Sequence, residues 1–337
     1  MLILGIESSC DDTAIAIVEN GNIVRESVVI SQYAAHQDFG GVVPEIASRE
    51  HLKNLLEAFA IATKTIPMEK IDAVAVTQGP GLLGSLLVGT LFAKGLALRH
   101  QKPLIPINHV HAHIFSALLD QEKTVDEIFP SLALVVSGGH TNLYFMPDAQ
   151  TFKLVGHTLD DACGECFDKV AKMLGLPYPG GPEIEKRAAD FKTEKSTLRF
   201  PIPKVTPQQF SFSGLKTALY YYILKHPGAY NINEVCYAFQ EAALGQIVEK
   251  IKWHTAALKP ALKSVIVSGG VSANLRFQNL FMENISVPML FPQKKYCSDN
   301  AAMIASNAYY APQAAGPNWD VFARYPFEHF LSAEVSL

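Results

Sequence analysis

The chain has 337 residues, of which 49% are hydrophobic and 18% are charged, and its formal net charge at pH 7 is −4. A chain of this length can bury one large core or two ordinary ones, and two lobes are expected. The weak net charge excludes a global electrostatic attraction to nucleic acid or membrane, so any such partner needs a local patch.

Neither a secretory leader nor a membrane span is predicted. The N-terminus reaches Glu7 without a basic leader, and the longest apolar run, around Leu86 to Leu98, contains Lys94. The chain has five cysteines, and an odd number in a chain of this size argues against a disulfide framework. Cys163 and Cys166 have redox or zinc spacing, but two small residues on a helix are the simpler interpretation. The sequence thus predicts a soluble, cytoplasmic protein.

The N-terminal part reads as a three-strand meander followed by helices and strands. Strands are predicted at 2–7 and 14–18, and Asn20-Gly21 predicts a type I′ hairpin into a third strand. Pro44 suits the first turn of a helix. The predicted apolar stripe of that helix is Leu52, Leu55, Leu56 and Phe59. Strands at 73–77 and 104–107 then alternate with a helix at 84–97.

The same order of elements returns halfway along the chain. The predicted elements are strands at 132–137, 142–146, 151–155 and 265–267, and helices at 161–174 and 233–257. Two copies of a meander followed by helices and strands predict an α/β fold with duplicated lobes around a central cleft. We expect an N-terminal lobe at 1–125 with a returning C-terminal helix at 299–337, and a C-terminal lobe at 126–298.

Three loops rich in glycine or hydroxyl groups each follow an apolar strand. They begin at Ser8, Ser137 and Ser268, and none matches the P-loop pattern. Glycine lets the backbone approach a phosphate, and amides at a strand-to-helix turn donate to an anion, so these loops predict a nucleotide or acyl-phosphate site. Pro179-Gly180-Gly181-Pro182 fits a rigid turn or a seat for a base or ribose. The basic stretch at 186–204 fits a solvated face or a phosphate contact.

His109 and His113 stand four residues apart. On a helix they share one face and can hold one metal ion, with Asp299 as a third ligand. On a strand, both would point the same way as His111 and could be ordinary half-buried residues. The zinc-protease helix needs a glutamate after its first histidine, and Val110 stands there instead.

Asp11 and Asp12 occupy the tip of the first loop. Adjacent side chains do not both face one site easily, so one carboxylate acts and the other is solvated or caps a turn. A carboxylate near a metal and a phosphate could orient an attacking amine or accept its proton. A turn aspartate that bonds its own backbone is an equal alternative.

Taken together, these motifs resemble the TsaD family, the tRNA threonylcarbamoyladenosine-forming transferases, from Leu2 to about Ala311. The segments that carry the resemblance are residues 7–11, 40–49, 79–82, His109 with His113, 136–141, 167–169, 179–182, 210–216, 269–274 and 298–300. The implied fold is that of actin, sugar kinases and heat-shock ATPases, a ribonuclease H-like fold. The implied reaction moves threonylcarbamoyl from threonylcarbamoyl-adenylate to the exocyclic amine of the adenosine beside the anticodon, in tRNAs reading codons that begin with A.

The resemblance also implies roles for residues, a cofactor and partners. His109, His113 and Asp299 correspond to ligands of one divalent metal ion, with Fe(II) favoured and Zn(II) as the alternative, and Asp11 to the catalytic carboxylate. The implied substrate contacts are Val135, Val136, Ser137, Gly138 and Gly139 at the acyl phosphate, and Asp168, Gly181, Glu185 and Asn274 at the adenosine. The implied partners are tRNA, a smaller protein of the same fold (TsaB-type) and a P-loop ATPase (TsaE-type), with no membrane. The alternatives are an ATP-dependent kinase for a sugar or carboxylate, a metalloprotease, and an ATP-gated binding module.

Overall fold

A computed structural model describes residues 1–39, 41–191, 197–258, 261–310 and 319–324. The chain divides into two compact units. Unit 1 comprises Met1–Lys123 with the described residues from Ser298 onward, and unit 2 comprises Thr124–Cys297. Each unit contains its own sheet and its own hydrophobic core.

Unit 1 is built on a five-stranded sheet of order β3-β2-β1-β4-β5. Its strands are β1 Leu2–Glu7, β2 Asp12–Glu19, β3 Ile23–Ser31, β4 Ala73–Gly79 and β5 Leu104–Asn108. Its helices are α1 Tyr33–His36, α2 Pro44–Ala62, α3 Leu83–His100, α4 His109–Phe115 and α11 Ala301–Tyr310, with 3₁₀ turns at Gln37–Phe39, Met68–Lys70 and Ser116–Leu118. The meander β1–β3 is antiparallel, whereas β1, β4 and β5 are parallel.

Unit 2 is built on a six-stranded sheet of order β11-β10-β6-β7-β8-β9. Its strands are β6 Ser131–Val136, β7 Thr141–Met146, β8 Lys153–Thr158, β9 Gln209–Phe210, β10 Ser264–Ser268 and β11 Met289–Leu290. Its helices are α5 Val125–Ile128, α6 Cys163–Met173, α7 Gly180–Ala189, α8 Ser213–Lys225, α9 Ile232–Leu258 and α10 Leu275–Asn284, with 3₁₀ turns at Gly270–Ala273 and Lys294–Tyr296.

The two sheets repeat one topology. In each, an antiparallel meander is extended by two parallel strands next to its first strand, as β1 pairs with β4 and β6 pairs with β10. Unit 2 adds only the short β9, parallel to β8. This arrangement confirms the predicted duplicated α/β fold. It also places the loops after β1 and β6 at equivalent positions, each at the carboxyl end of a central strand.

The buried face of α2 differs from the predicted stripe. Leu55 is buried as expected, but Leu52 and Leu56 are exposed, and the inward side chains include His51 and Ala58. Hydrophobic periodicity predicted the helix correctly and its inner face in part: Leu55 and Phe59 pack on the core, whereas His51 points inward and contacts Thr13 and the Cys10 carbonyl. Leu52 and Leu56 therefore lie on the outer surface of α2.

Three other predictions are corrected in detail. Asn20 and Gly21 both have positive φ, as the hairpin requires, but Glu19 pairs with Ile23, so the loop is one residue longer than a type I′ hairpin. Within the predicted C-terminal helix 299–337, α11 ends at Tyr310, residues 319–324 are not helical, and residues 311–318 and 325–337 lie outside the described residues.

The Gly180-Gly181 pair, predicted as either a turn or a ligand seat, begins helix α7. An added Cβ at Gly180 would lie 2.4 Å from the Ala171 side chain, so the missing Cβ lets α7 pack closely on α6. None of the described helices has the length and apolar character needed to cross a bilayer.

Candidate functional site

His109 and His113 lie on α4, which confirms the predicted helix and removes the strand alternative. The helix begins at His109 because the Asn108 side chain accepts hydrogen bonds from the amides of Val110 and His111, at 2.9 and 3.2 Å. Both metal-ligand candidates are buried. The third histidine, His111, is outside the cluster that the other two form with Asp299, and burial lowers its pKa to about 4.

Asp299 reaches α4 from the far end of the chain. It lies just before α11, in a turn held by Asn300, whose side chain donates to the Ser298 carbonyl and accepts from the Met303 amide. Helix α11 approaches the sheet closely because β1 carries Gly5, where an added Cβ would lie 2.2 Å from the Ala301 carbonyl oxygen. The close approach of backbone to backbone therefore requires glycine at this position.

These three residues form a compact ligand cluster. One ligand atom from each of His109, His113 and Asp299 lies within 4.8 Å of the others. Asp299 Oδ1 is 3.6 Å from His109 Nε2 and 3.3 Å from His113 Nε2. Among the described residues, no hydrogen bond satisfies either ring nitrogen of the buried His113, because the contact with Asp299 is not aligned as one. A buried imidazole without hydrogen bonds is costly, and a cation between the rings would satisfy it.

Glu7 belongs to the same cluster, although sequence analysis gave it no role. Its side chain is fully buried, and its Oε2 lies 3.1 Å from His109 Nδ1. The Ser9 amide donates to Oε1 at 2.6 Å, and the Thr77 hydroxyl donates to Oε2. The signal in the sequence was a lone acidic residue ending a buried apolar strand, since such a carboxylate needs partners. Glu7 orients His109 so that Nε2 faces Asp299.

The buried pair of Glu7 and His109 is ionised. Burial alone would raise the pKa of Glu7, but the His109 imidazolium holds that pKa below its ordinary value. Burial likewise opposes the charge on His109, yet the carboxylates of Glu7 and Asp299 raise the His109 pKa to about 9. The protein without metal therefore carries a proton on the imidazole that faces Asp299, and metal binding must displace it.

Asp12 is close enough to this cluster to interact electrostatically with Asp299 and Glu7, and Asp11 precedes it in the chain. Burial raises the pKa of Asp12 to about 7, and the negative charges of Asp299, Asp11 and Glu7 act in the same direction. Asp12 begins β2, whereas Asp11 lies in the preceding loop. Burial and neighbouring charges thus raise the pKa of Asp12, a property that the pattern of two adjacent aspartates could not reveal.

The second group of predicted residues lies entirely in unit 2. Val135 and Val136 are buried in β6 and Ser137 after them is also buried, whereas Gly138 and Gly139 are exposed, with open space where a Cβ would stand. The neighbouring loop contacts β6 at Gly269, which has φ +89°. A Cβ added there would lie 2.5 Å from the Val136 carbonyl oxygen, so this close approach requires glycine. Two glycine loops therefore lie side by side, with backbone groups accessible to an anion.

The four residues predicted at the adenosine also gather in unit 2, around the first turns of α7 and α10. Asp168 accepts a hydrogen bond from the Gly180 amide at 2.7 Å, next to Gly181. Glu185 accepts from the Leu275 amide at 2.7 Å, and Asn274 caps the same helix by accepting from Phe277. Each side chain already stabilises a helix start. Burial raises the pKa of Asp168, which the amides of Gly180 and Gly181 partly offset.

Other candidate residues have structural surroundings. Cys163 and Cys166 are buried in the core of unit 2, where burial raises the pKa of both thiols, as expected for small structural residues. In the basic stretch, Lys186, Arg187, Arg199 and Lys204 are exposed, while residues 192–196 lie outside the described residues. A phosphate contact there stays a prediction.

Comparisons with known proteins agree with this geometry. A sequence model of the TsaD family, described as tRNA N6-adenosine threonylcarbamoyltransferase, matches residues 23–306. Proteins with that name from Carboxydothermus hydrogenoformans and Fusobacterium nucleatum are similar to the chain. The first is 45% identical and covers 92% of both chains, and the second is 40% identical and covers 100% of this chain and 98% of its own.

Among solved structures, full-length HypF in its phosphate- and nucleotide-bound form superposes with a TM-score of 0.60 at 13% identity, over 95% of this chain and 47% of HypF. At this identity the similarity concerns the fold alone.

Proposed function

This chain belongs to the TsaD family of tRNA N6-adenosine threonylcarbamoyltransferases, and we propose that its reaction depends on a metal ion held by His109, His113 and Asp299. The enzyme transfers threonylcarbamoyl from its adenylate to the exocyclic amine of the adenosine next to the anticodon, in tRNAs that read codons beginning with A. Since relatives at 40–45% identity carry the transferase name, the kinase alternative is set aside.

The observation that carries the metal proposal is the His113 imidazole, buried and without hydrogen bonds among the described residues, beside His109 and Asp299. Two imidazoles and one carboxylate suit Fe(II), which we favour, and also Zn(II). When bound, the metal supplies Lewis-acid stabilisation of the charge that develops on carbamoyl or phosphate oxygens. The chain contributes the ligand set and, through Glu7, the orientation of His109.

We propose that Asp11 and Asp12 accept the proton that the adenosine amine loses during transfer. The adenosine amine forms a bond to the carbamoyl carbon, the bond from that carbon to the phosphate oxygen breaks, and adenosine monophosphate leaves with the electron pair. The amine proton passes to a carboxylate, for which we propose Asp11. Asp12, whose pKa of about 7 is raised by burial and neighbouring carboxylates, adds a second proton acceptor close to neutrality. An aromatic amine is a weak nucleophile, so proton removal and alignment both contribute to the rate.

Unit 2 is proposed to hold the adenylate. The exposed Gly138 and Gly139 offer backbone amides to the acyl phosphate, and the buried Val135, Val136 and Ser137 position these glycines after β6. The helix starts held by Asp168, Glu185 and Asn274 face the adenosine in this proposal, with Gly181 leaving room for it. Those side chains keep α7 and α10 in place, and Asp168 and Glu185 each have a second carboxylate oxygen that can accept from a ribose.

A protein partner is proposed on the outer face of α2 and α3, which pack on each other in unit 1. This face, here called the leucine face, exposes 40% or more of Leu52, Leu56, Leu83, Leu87, Leu91 and Leu98. An apolar patch of this kind indicates a protein contact. We assign it to the smaller protein of the same fold. The P-loop ATPase and tRNA complete the proposed assembly, working in the cytoplasm.

Transfer of labelled threonylcarbamoyl from its adenylate to unmodified tRNA tests these proposals. We expect transfer by the chain with its two protein partners, loss of transfer with a chelator, and recovery on adding Fe(II). Asp11→Asn is expected to lower the rate at least about 100-fold, since a general base contributes 10²–10⁴. Undiminished transfer after complete metal removal would contradict the metal proposal, and full activity of Asp11→Asn would contradict the role of Asp11.

A further inference from the structure

A chain of buried polar side chains runs through unit 1 to the loop that carries Asp11. The four side chains expose 3% of their surface or less. Five hydrogen-bond contacts join them to one another and to the backbone. Val43 N contacts His36 Nδ1 at 3.3 Å, His36 Nε2 contacts Gln32 Oε1 at 3.2 Å, and Gln32 Nε2 contacts Thr13 Oγ1 at 3.4 Å. Thr13 Oγ1 then contacts His51 Nδ1 at 2.7 Å, and His51 Nε2 contacts the Cys10 carbonyl oxygen at 3.0 Å. We call this set the His36–His51 relay.

Backbone groups at both ends determine which atom donates at every step. The Cys10 carbonyl only accepts, so His51 Nε2 donates to it, and Nδ1 of the neutral ring accepts from the Thr13 hydroxyl. Burial lowers the pKa of His51, which is consistent with a neutral ring.

From Thr13 to the other end the assignment is equally constrained. The Gln32 amide nitrogen donates both to Thr13 Oγ1 and to the Ala47 carbonyl at 3.3 Å, so its oxygen faces His36. His36 Nε2 must then donate to that oxygen, and its Nδ1 accepts from the Val43 amide. All donors in the relay point in one direction, and both histidines are the Nε2–H tautomer.

The relay holds the backbone on both sides of the Asp11 side chain. His51 binds the carbonyl of Cys10, and the backbone amide of Gln32 donates to the carbonyl of Asp11 at 3.0 Å. We propose that the relay is a positioning device for Asp11, with His51 as the positioning residue. This inference rests on the catalytic role proposed for Asp11. A neutral relay has a chemical advantage, because a lysine or arginine in its place would hold the loop but weaken the nearby carboxylates as proton acceptors.

Substitutions at Thr13 test the relay with little change in shape. Thr13→Val removes the hydroxyl, leaving His51 Nδ1 without its donor and one of the two Gln32 amide hydrogens without an acceptor, whereas Thr13→Ser keeps both contacts. In the reconstituted transfer reaction, we expect Thr13→Val to lower kcat about 10- to 100-fold, since misplacing a reacting group by about 1 Å costs up to 10². The KM for the adenylate and the bound metal per chain should not change, and Thr13→Ser should stay within about threefold of the wild type.

Substitutions at His51 separate the two ends of its ring. Gln can still donate to the Cys10 carbonyl, whereas Asn is too short to reach it and mimics Nδ1 instead. We expect kcat to fall in the order wild type, His51→Gln, His51→Asn. His254→Gln is the matched control, because His254 is equally buried and its Nε2 contacts the Pro207 carbonyl at 3.3 Å in unit 2. That variant should lose stability without losing kcat per folded molecule.

A spectroscopic measurement checks the relay without an activity assay. Ring ¹⁵N shifts of His36 and His51 should show the neutral Nε2–H tautomer for both, and a Nδ1–H tautomer at either overturns the relay. If the wild type catalyses transfer and Thr13→Val has the same kcat, the relay is also overturned. Absence of transfer by the wild type itself overturns the proposed function instead, so the two failures are distinguishable.

Discussion

The carboxyl ends of β1 in unit 1 and β6 in unit 2 occupy equivalent positions in one topology, yet they support different chemistry. The first ends in the buried carboxylate Glu7, which engages a histidine, a threonine and a backbone amide. The second ends in the buried Val136 and is followed, after Ser137, by exposed Gly138 and Gly139, which have no side chain to engage. The difference teaches that a duplicated fold can place buried charged side chains at this position in one copy and exposed backbone in the other, which is where we propose that the acyl phosphate binds.

This contrast predicts that the two sites fail independently. His113→Ala removes one metal ligand, so we expect the bound metal per chain to fall towards zero and transfer to fall about 1000-fold or more, as a catalytic metal supplies several kcal/mol. The affinity of unit 2 for the adenylate should stay within about twofold, because the proposed metal acts on charge that develops only during transfer, whereas the proposed adenylate contacts all belong to unit 2. Metal analysis and calorimetry with a non-hydrolysable adenylate check both parts. Joint loss of metal and adenylate binding would falsify the separation.

The pH dependence of metal binding is a property of unit 1 alone, because it depends on the proton carried by His109. The Glu7 and Asp299 carboxylates raise the pKa of His109 to about 9 against the effect of burial, so below that pH a metal ion must displace the proton. We expect metal affinity to be flat above pH 9 and to fall about tenfold for each unit below it, about 100-fold at pH 7. Competition with a chelator of known affinity across pH 6.5 to 9.5 measures this slope. A flat profile would show that His109 is neutral without metal.

The carboxylate of Glu7 sharpens the comparison within unit 1. In Glu7→Gln, the amide can donate to His109 Nδ1, which moves the ring proton to Nε2 and blocks the ligand atom. We expect metal affinity about 10- to 100-fold weaker, as for other partners of metal-bound histidine. Glu69→Gln, at an exposed position of the same unit, is the control. Unchanged metal affinity in Glu7→Gln is the result that argues against its orienting role.

The smallest expected effect tests unit 2 alone. Asp168→Ala removes the acceptor for the Gly180 amide and loosens the start of α7, so the KM for the adenylate should rise about tenfold, with loss of a cap costing about 1 kcal/mol. Asp168→Asn keeps an acceptor oxygen and isolates the effect of charge. Steady-state kinetics with saturating tRNA measure both variants. Should Asp168→Ala change the bound metal instead, the assignment of the adenylate to unit 2 is wrong.

Much of this organisation was accessible from the sequence because it depends on local pattern. Alternating apolar runs predicted the strands, and the spacing of His109 and His113 predicted one helical face. The sequence did not predict helices α7 and α8 or strand β9. Helix α7 starts at two glycines, a composition typical of turns, and becomes helical because Asp168 caps it and α6 packs against it.

The inner face of α2 and the role of Glu7 required contacts between residues far apart in the chain. Leu52 and Leu56 fit an apolar stripe, but His51 takes the inward position because it can satisfy Thr13 and the Cys10 carbonyl. Glu7 meets Thr77 and His109, 70 and 102 residues away. No periodicity within one element contains that information.

The sequence by itself determined the duplicated α/β order, the family and the types of ligand atom, since these follow from residue spacing and motif order. Only the tertiary structure decided that Glu7 supports His109 in the predicted ligand cluster, and that burial and neighbouring carboxylates raise the pKa of Asp12. The physical reason is that desolvation and charge coupling depend on distance in space, and Gly5 and α11 set those distances through backbone packing.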